Sequence, residues 1–223
     1  MELYQINRLV LGVFAVNCWI VVYGNGPAEK NSPRCLLIDP GSEPDRIIAQ
    51  LERAALRPSH ILLTHGHFDH TLALPDIHAA YPEAPIAIHQ DDARYMDPEF
   101  LLSSCRGLDI DLDAPVFAGT RWREMPPPGL LLKDGDTAGP FTVLSVPGHT
   151  PGSVVFLLEE QKIMFSGDTL FKGDCGRVDL PGGNRRKIEE SLKRLLALDG
   201  DIQVLPGHGE STSIAGERDT RFF

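Results

Sequence analysis

The chain has 223 residues, enough for one substantial core, and a single domain over 1–223 is the expectation. An apolar fraction of 42% with 23% charged residues is that of an ordinary soluble globular protein. A formal net charge of −10 argues against a nucleic-acid backbone or an anionic membrane as partner.

The apolar run from Leu9 to Tyr23 is too short to span a bilayer, contains Asn17 and lacks a following A-x-A cleavage site. It reads as a β-hairpin closed by the turn signal "YGNG" at 23–26. Cys18, Cys35, Cys105 and Cys175 share no CxxC spacing, so reduced thiols and a cytoplasmic location are expected. "CLLID" at 35–39 is a short apolar strand. "PDRIIAQLERAALRP", apolar at 47, 48, 51, 54, 55 and 56, has helical spacing and is predicted to close at Pro58. "HILLTH" then reads as a buried strand, followed by a helix over "LPDIHAAYP" and a strand at "PIAIH". Residues 91–129 are predicted to be irregular, with "MPPPG" at 125–129 breaking any regular element. Their composition fits a lid or substrate loop and a plain linker equally. The strand-like runs "FTVLSV", "SVVFLLEE" and "KIMFSGD", a helix at "NRRKIEESLKRLLAL" and a strand at "DIQVLPGHG" complete the chain. This order predicts two β-sheets with helices packed outside.

"THGHFDH" at 64–70 crowds three of the chain's eight histidines and an aspartate into seven positions. His65, His67 and Asp69 alternate, so an extended segment would project them to one side, with His70 adding a fourth ligand-type side chain. Three later segments repeat the grammar. "VPGHTPGS" places His149, "MFSGDTLF" places Asp168 and "VLPGHGE" places His208 just past a strand, beside glycines that permit close backbone approach. The crevice beyond strand C-termini is where open α/β sheets carry their chemistry. Imidazole and carboxylate without thiolate suit zinc, iron or manganese. His60, His78 and His89 lie outside these segments and read as structural or solvated.

The segments "THGHFDH", "VPGHTPGS", "FSGDTLF" and "LPGHG", in this order and with "GDCGR" at 173–177, resemble the metallo-β-lactamase fold superfamily, in its glyoxalase II-like branch. The resemblance runs from "VNCWIV" to "SIAGER". It implies an α/β fold, an αββα sandwich of two mixed β-sheets with helices on the outer faces. By position it implies that His65, His67 and His149 hold one divalent metal ion. Asp69, His70 and His208 would hold a second, with Asp168 bridging the two; zinc comes first, then iron or manganese. The implied reaction is attack of a metal-bridging hydroxide on a carbonyl carbon, with Asp69 and Asp168 as catalytic carboxylates. The implied substrate is a small-molecule thioester such as S-(2-hydroxyacyl)glutathione.

Longer members carry a C-terminal helical domain that contributes to glutathione binding. This chain stops fifteen residues after His208 and is similar to the small form without it. "DHTLALPDI" also lacks the glycine pair often found after the DH motif. Arg177 in "GDCGR" matches a basic residue near the glutathione moiety, which implies an anion clamp; pairing with Asp179 to hold the loop is the alternative. Cys175 reads either as a reactive thiol or as a packing residue. Persulfide dioxygenases also resemble this branch and use one iron on two histidines and an aspartate, here His65, His149 and Asp168. Lactone or β-lactam hydrolysis would use the same hydroxide, and a metal-binding protein without catalysis is a further alternative.

Overall fold

The structure, a computed structural model, describes residues 2–24 and 34–223, with side chains from residue 5 onward. The "YGNG" turn predicted at 23–26 lies partly outside them. The chain divides into two compact units. Unit 1 comprises residues 1–63, 67–87 and 94–130; unit 2 comprises residues 64–66, 88–93 and 131–223.

Among the described residues the strands form two six-stranded sheets, both mixed. The first runs β1 (Glu2–Leu11), β2 (Val16–Gly24), β3 (Arg34–Ile38), β4 (Arg57–Leu62), β5 (Ile86–His89) and β6 (Leu130–Leu132), in that spatial order. The hairpin β1–β2 is antiparallel, as the apolar run predicts, and so is β2–β3. β3–β4 and β4–β5 are parallel, because α1 (Pro44–Arg53) and α3 (Leu74–Ala80) supply the crossovers that parallel neighbours require. The second sheet has the order β12 (Thr212–Ser213), β11 (Gln203–Pro206), β10 (Ile163–Gly167), β9 (Val154–Leu158), β8 (Phe141–Ser145) and β7 (Thr137–Ala138). Its one parallel pair, β10–β11, is joined through α5 (Arg185–Leu196). Ile188, Leu192 and Leu195, spaced at helical intervals on α5, pack into a cluster with Val146, Val155, Leu157, Met164 and Val204.

Two predicted elements are corrected. The helix expected over 44–58 stops at Arg53, and Pro58 lies inside β4 rather than ending a helix. Ala55 takes a left-handed φ of 52°, Leu56 N–H donates to Leu51 O at 2.8 Å, and Ala55 N–H donates to Glu52 O at 3.0 Å. These two bonds close a Schellman cap, with alanine where glycine is usual, and turn the chain into the next strand. Residues 91–129 are not irregular throughout: α4 (Pro98–Arg106) lies within them. Asp97 caps it, its Oδ1 accepting from the N–H groups of Glu99 and Phe100, both at 2.9 Å, and Pro98 occupies the first turn. The remaining helices are the short α2 (Phe68–Thr71) and α6 (Ile214–Glu217). Among the described residues no helix is long and apolar enough to cross a membrane.

Candidate metal centre

Unit 2 contains four of the predicted ligands: His65, His149, Asp168 and His208. Asp168 stands among the histidines. Its Oδ2 is 3.3 Å from His208 Nε2 and 3.7 Å from His149 Nε2. The rings of His65 and His149 meet edge-on at 4.9 Å, and ligand atoms of His65 lie within 4.8 Å of those of His149 and Asp168. His65 and His149 are buried, whereas the His208 side chain keeps 26% of its surface.

The surrounding chain fixes which nitrogen each ring presents. His149 Nδ1–H donates to the Arg177 carbonyl at 2.8 Å, and His65 Nδ1 is 3.1 Å from Thr64 Oγ1. Nδ1 is therefore engaged in both rings, the usual arrangement of a histidine that binds metal through Nε2. The loop carrying His149 is held by the N-cap and the second turn of α5. Asn184 N–H donates to Gly148 O at 2.7 Å, and Ser191 Oγ donates to Pro147 O at 2.8 Å. Gly148 has a φ of 145°, and a Cβ there would stand 2.3 Å from Ile188 N, so only glycine fits. The second glycine of "GDCGR" has a similar cause: a Cβ on Gly176 would meet Asp168 O at 1.8 Å.

Unit 1 contains His67, Asp69 and His70. The alternation predicted for 65–69 holds only as far as His67, the extended residue before α2; Asp69 and His70 lie on the helix itself. Asp69 Oδ2 is 3.7 Å from His70 Nε2. His70 is fully buried, and its Nδ1 is 3.1 Å from Asp39 Oδ2, so a buried carboxylate accepts from one nitrogen and leaves the other toward Asp69. His67 packs edge-on against the buried Tyr95 at 5.6 Å.

Two aspartates that the motifs do not single out support these rings. Asp39 sits directly after β3, the same position past a strand that marks the ligands, so its signal was available. Asp92 had none: it is one of two adjacent aspartates in a 3₁₀ turn over 90–96. Fully buried in unit 2, it accepts from Gly66 N–H at 3.0 Å, Gly152 N–H at 2.7 Å and Thr150 Oγ1–H at 2.7 Å. One carboxylate thus ties the loop after His65 to the loop after His149. Burial pushes its carboxyl up from the ordinary value, and the three hydrogen bonds act in the opposite direction.

Arg177 makes a two-pronged pair with Asp179, both bonds 2.7 Å, on the surface. Burial raises the Cys175 thiol to about 11, and the side chain belongs to the apolar cluster under α5. A neutral thiol in that setting is packing rather than a nucleophile. All four cysteines are free and buried. His89 is structural: Nδ1 accepts from Asp91 N–H at 3.2 Å and Nε2–H reaches Ser145 Oγ at 3.1 Å. Burial lowers the pKa of His60, with Arg34 adding to the effect.

In each unit the predicted donors are all imidazole and carboxylate, which suits a divalent transition metal. Comparison with known proteins agrees with this chemistry. A probable metallo-hydrolase of Bacillus subtilis, YqgX, is 34% identical over 223 residues, covering 97% of this chain and 96% of that one. The hydroxyacylglutathione hydrolase GloC of Haemophilus influenzae is 35% identical over 219 residues, covering 96% and 95%. The crystal structure of TTHA1623 in a di-iron-bound form superposes with a TM-score of 0.81 at 35% identity, covering 96% of this chain and 98% of that one. Residues 11–208 match the family model of the metallo-beta-lactamase superfamily, and with these two mixed sheets and this His/Asp set the chain belongs to that superfamily.

Proposed function

We propose that residues 1–223 form one binuclear metal-dependent hydrolase domain acting on thioesters such as S-(2-hydroxyacyl)glutathione. His65, His67 and His149 would hold one ion, Asp69, His70 and His208 the other, and Asp168 both, with zinc or a zinc–iron mixture as the metal. The observation that carries this reading is the Asp168 carboxylate, whose Oδ2 lies near both His149 Nε2 and His208 Nε2, one histidine from each set. The similarity to GloC supports the substrate class, and the similarity to a di-iron protein supports the pair of ions.

Bound there, two divalent ions supply Lewis-acid polarisation of a carbonyl oxygen and a water that ionises near neutral pH. The chain's own part is orientation. Asp39, Thr64 and the Arg177 carbonyl hold three rings with Nε2 presented. Asp69, with 15% of its side chain exposed, would orient the nucleophilic water. The water oxygen bonds to the acyl carbon, the carbon–sulfur bond breaks, and the departing thiolate takes up a proton, giving a carboxylic acid and a thiol. Arg177 would clamp an anionic group of the substrate by exchanging Asp179 for it.

A mononuclear-iron, persulfide dioxygenase-like oxidoreductase is the second reading, and one observation favours it. His65, His149 and Asp168 lie together within unit 2, a two-histidine, one-carboxylate set. It ranks second because it leaves His70 without a role, although Asp39 orients that ring as carefully as any other. Metal analysis with a thioester panel separates the two. Close to two transition-metal ions per chain and release of free thiol are expected; a single iron with oxygen uptake on glutathione persulfide would replace this reading with the second.

A further inference from the structure

A cavity of about 520 Å³ opens within unit 1, lined by residues 11–14, 41–45 and 116–120 together with Asp69. That volume is in the usual range for small-molecule sites. Its wall is unusual for a surface. Among the described residues seven large hydrophobics are exposed, and three of them, Val13 (67%), Phe14 (41%) and Val116 (57%), line this one cavity. Clustered exposed apolar side chains mark a binding surface more often than scattered ones do. Phe14 stacks on Phe117 at 6.4 Å, and Phe68 meets both edge-on, at 5.2 and 6.0 Å. Phe68 is the residue before Asp69, so the aromatic group adjoins a carboxylate assigned to the metal centre.

The walls are pinned. Gly12 N–H, at the tip of the β1–β2 hairpin, donates to Glu43 Oε1 at 2.6 Å. Arg121, just past the 116–120 segment, donates to Asp76 Oδ1 at 3.2 Å and also pairs with Glu124. A preformed apolar wall costs a ligand little reorganisation. The charge is one-sided: Glu43, Asp45, Asp69 and Asp76 line the cavity, and no lysine, arginine or histidine does. Arg46 pairs with Glu43 and Arg121 with Asp76, so no cation lining the cavity is left to meet an anionic group, and burying an unpaired carboxylate against this apolar wall is costly.

We propose that this cavity receives the acyl half of the substrate and selects an uncharged apolar acyl group, branched or aromatic, over a small or carboxylated one. The proposal rests on the thioesterase reading above. Full-length metal-replete protein is assayed on acetyl, isobutyryl, phenylacetyl and succinyl thioesters of one thiol. From acetyl to phenylacetyl kcat/KM is expected to rise about tenfold or more, and the succinyl ester is expected to fall below acetyl. Phe117→Ala should lower the phenylacetyl-to-acetyl ratio about tenfold. Val116→Asp changes an exposed position, so it should fold normally and depress the same ratio if Phe117→Ala proves unstable. A flat series, or a preference for succinyl, overturns the proposal. Binding of neutral phenylacetamide, followed by ligand-observed NMR, separates this failure from failure of the thioesterase reading. If no thioester turns over yet phenylacetamide binds and Val116→Asp abolishes the binding, the cavity assignment stands and the thioesterase reading is lost. If phenylacetamide does not bind the unmodified protein, the cavity assignment is wrong whatever the kinetics.

Discussion

The donor groups of the two units are built in opposite ways. In unit 1, His67, Asp69 and His70 come from one turn of helix and the residue before it, so local backbone geometry places them. Their long-range support is Asp39 on the His70 ring. In unit 2, His65, His149, Asp168 and His208 come from four separate loops. Those loops are held by a web: Asp92 on Gly66, Thr150 and Gly152, α5 on the Gly148 loop, the Arg177 carbonyl on His149, and Gly207 N–H on Gly167 O beside His208 and Asp168. A local set needs one correctly placed acceptor to fix its ring, whereas a dispersed set needs the whole unit folded around it. Damage to the first should be selective, and damage to the second should reach stability as well as metal.

The largest effect tests the residue shared between the two sets. Asp168→Ala should lose both ions and lower hydrolysis by about three orders of magnitude or more, because in the proposed assignment one carboxylate serves both. His78→Ala should keep both ions, and normal turnover with two ions in Asp168→Ala would remove the bridging assignment. Next in size is Asp39→Asn, which removes the carboxylate that orients His70. Metal affinity is expected to fall about 10- to 100-fold for one ion only. Titration with limiting zinc should then show one tight and one weakened site; equal weakening of both would break the contrast between a local and a dispersed set.

Asp92→Asn comes third. An amide cannot accept from all three donors as a carboxylate does, and leaving one buried donor unsatisfied costs about 1–3 kcal/mol. The melting temperature should fall together with occupancy of the ion assigned to His65 and His149, while Thr150→Val, which removes one of the three bonds, should show a smaller share of both. Loss of metal without loss of stability would show that Asp92 is not a structural tie.

The smallest effect belongs to Arg177→Ala. Both partners of the Arg177–Asp179 pair are exposed, so stability should scarcely change. The hydrogen bonds from Arg177 hold the Asp179 carboxyl down to about 2. The sign follows: a depressed carboxylate contributes above its ordinary value and loses that contribution as pH falls toward about 2. In Arg177→Ala the Asp179 titration, read by NMR, should move up toward the ordinary carboxylate range. A clamp on an anionic substrate predicts that KM for glutathione thioesters rises about three- to tenfold with kcat little changed. Equal losses for charged and neutral thioesters would leave pairing with Asp179 as the whole role of this arginine.

Much of this architecture was readable from pattern. The hairpin, the strand after it, α3, α5 and the strands β8 to β11 of the second sheet follow apolar runs of the right length between turn residues, whereas the two-residue β7 and β12 follow none. The places that escaped are those where one residue's conformation overrides the pattern. Ala54, Ala55 and Leu56 continue the apolar spacing of α1, yet a left-handed Ala55 ends the helix and Pro58 enters a strand. α4 was hidden in a stretch judged by its prolines, although Asp97 followed by Pro98 is a helix start. Asp39 carried a signal through its position after a strand; Asp92 carried none, because a buried acceptor is defined by the donors around it.

By itself the sequence determined the donor types, their order along the chain and their placement at the ends of strands, since residue chemistry and short-range periodicity are local properties. It determined equally that the turns beside the donors would be glycines. Which nitrogen His70 and His149 present, which carboxylate backs His70, and that Asp69 adjoins an apolar, acid-rimmed cavity were decided only by tertiary structure. The reason is physical: tautomer, burial and charge environment there depend on groups 28 to 60 positions away, such as the Arg177 carbonyl on His149, Asp39 on His70 and Asp92 on Gly152, which only folding brings within hydrogen-bond distance.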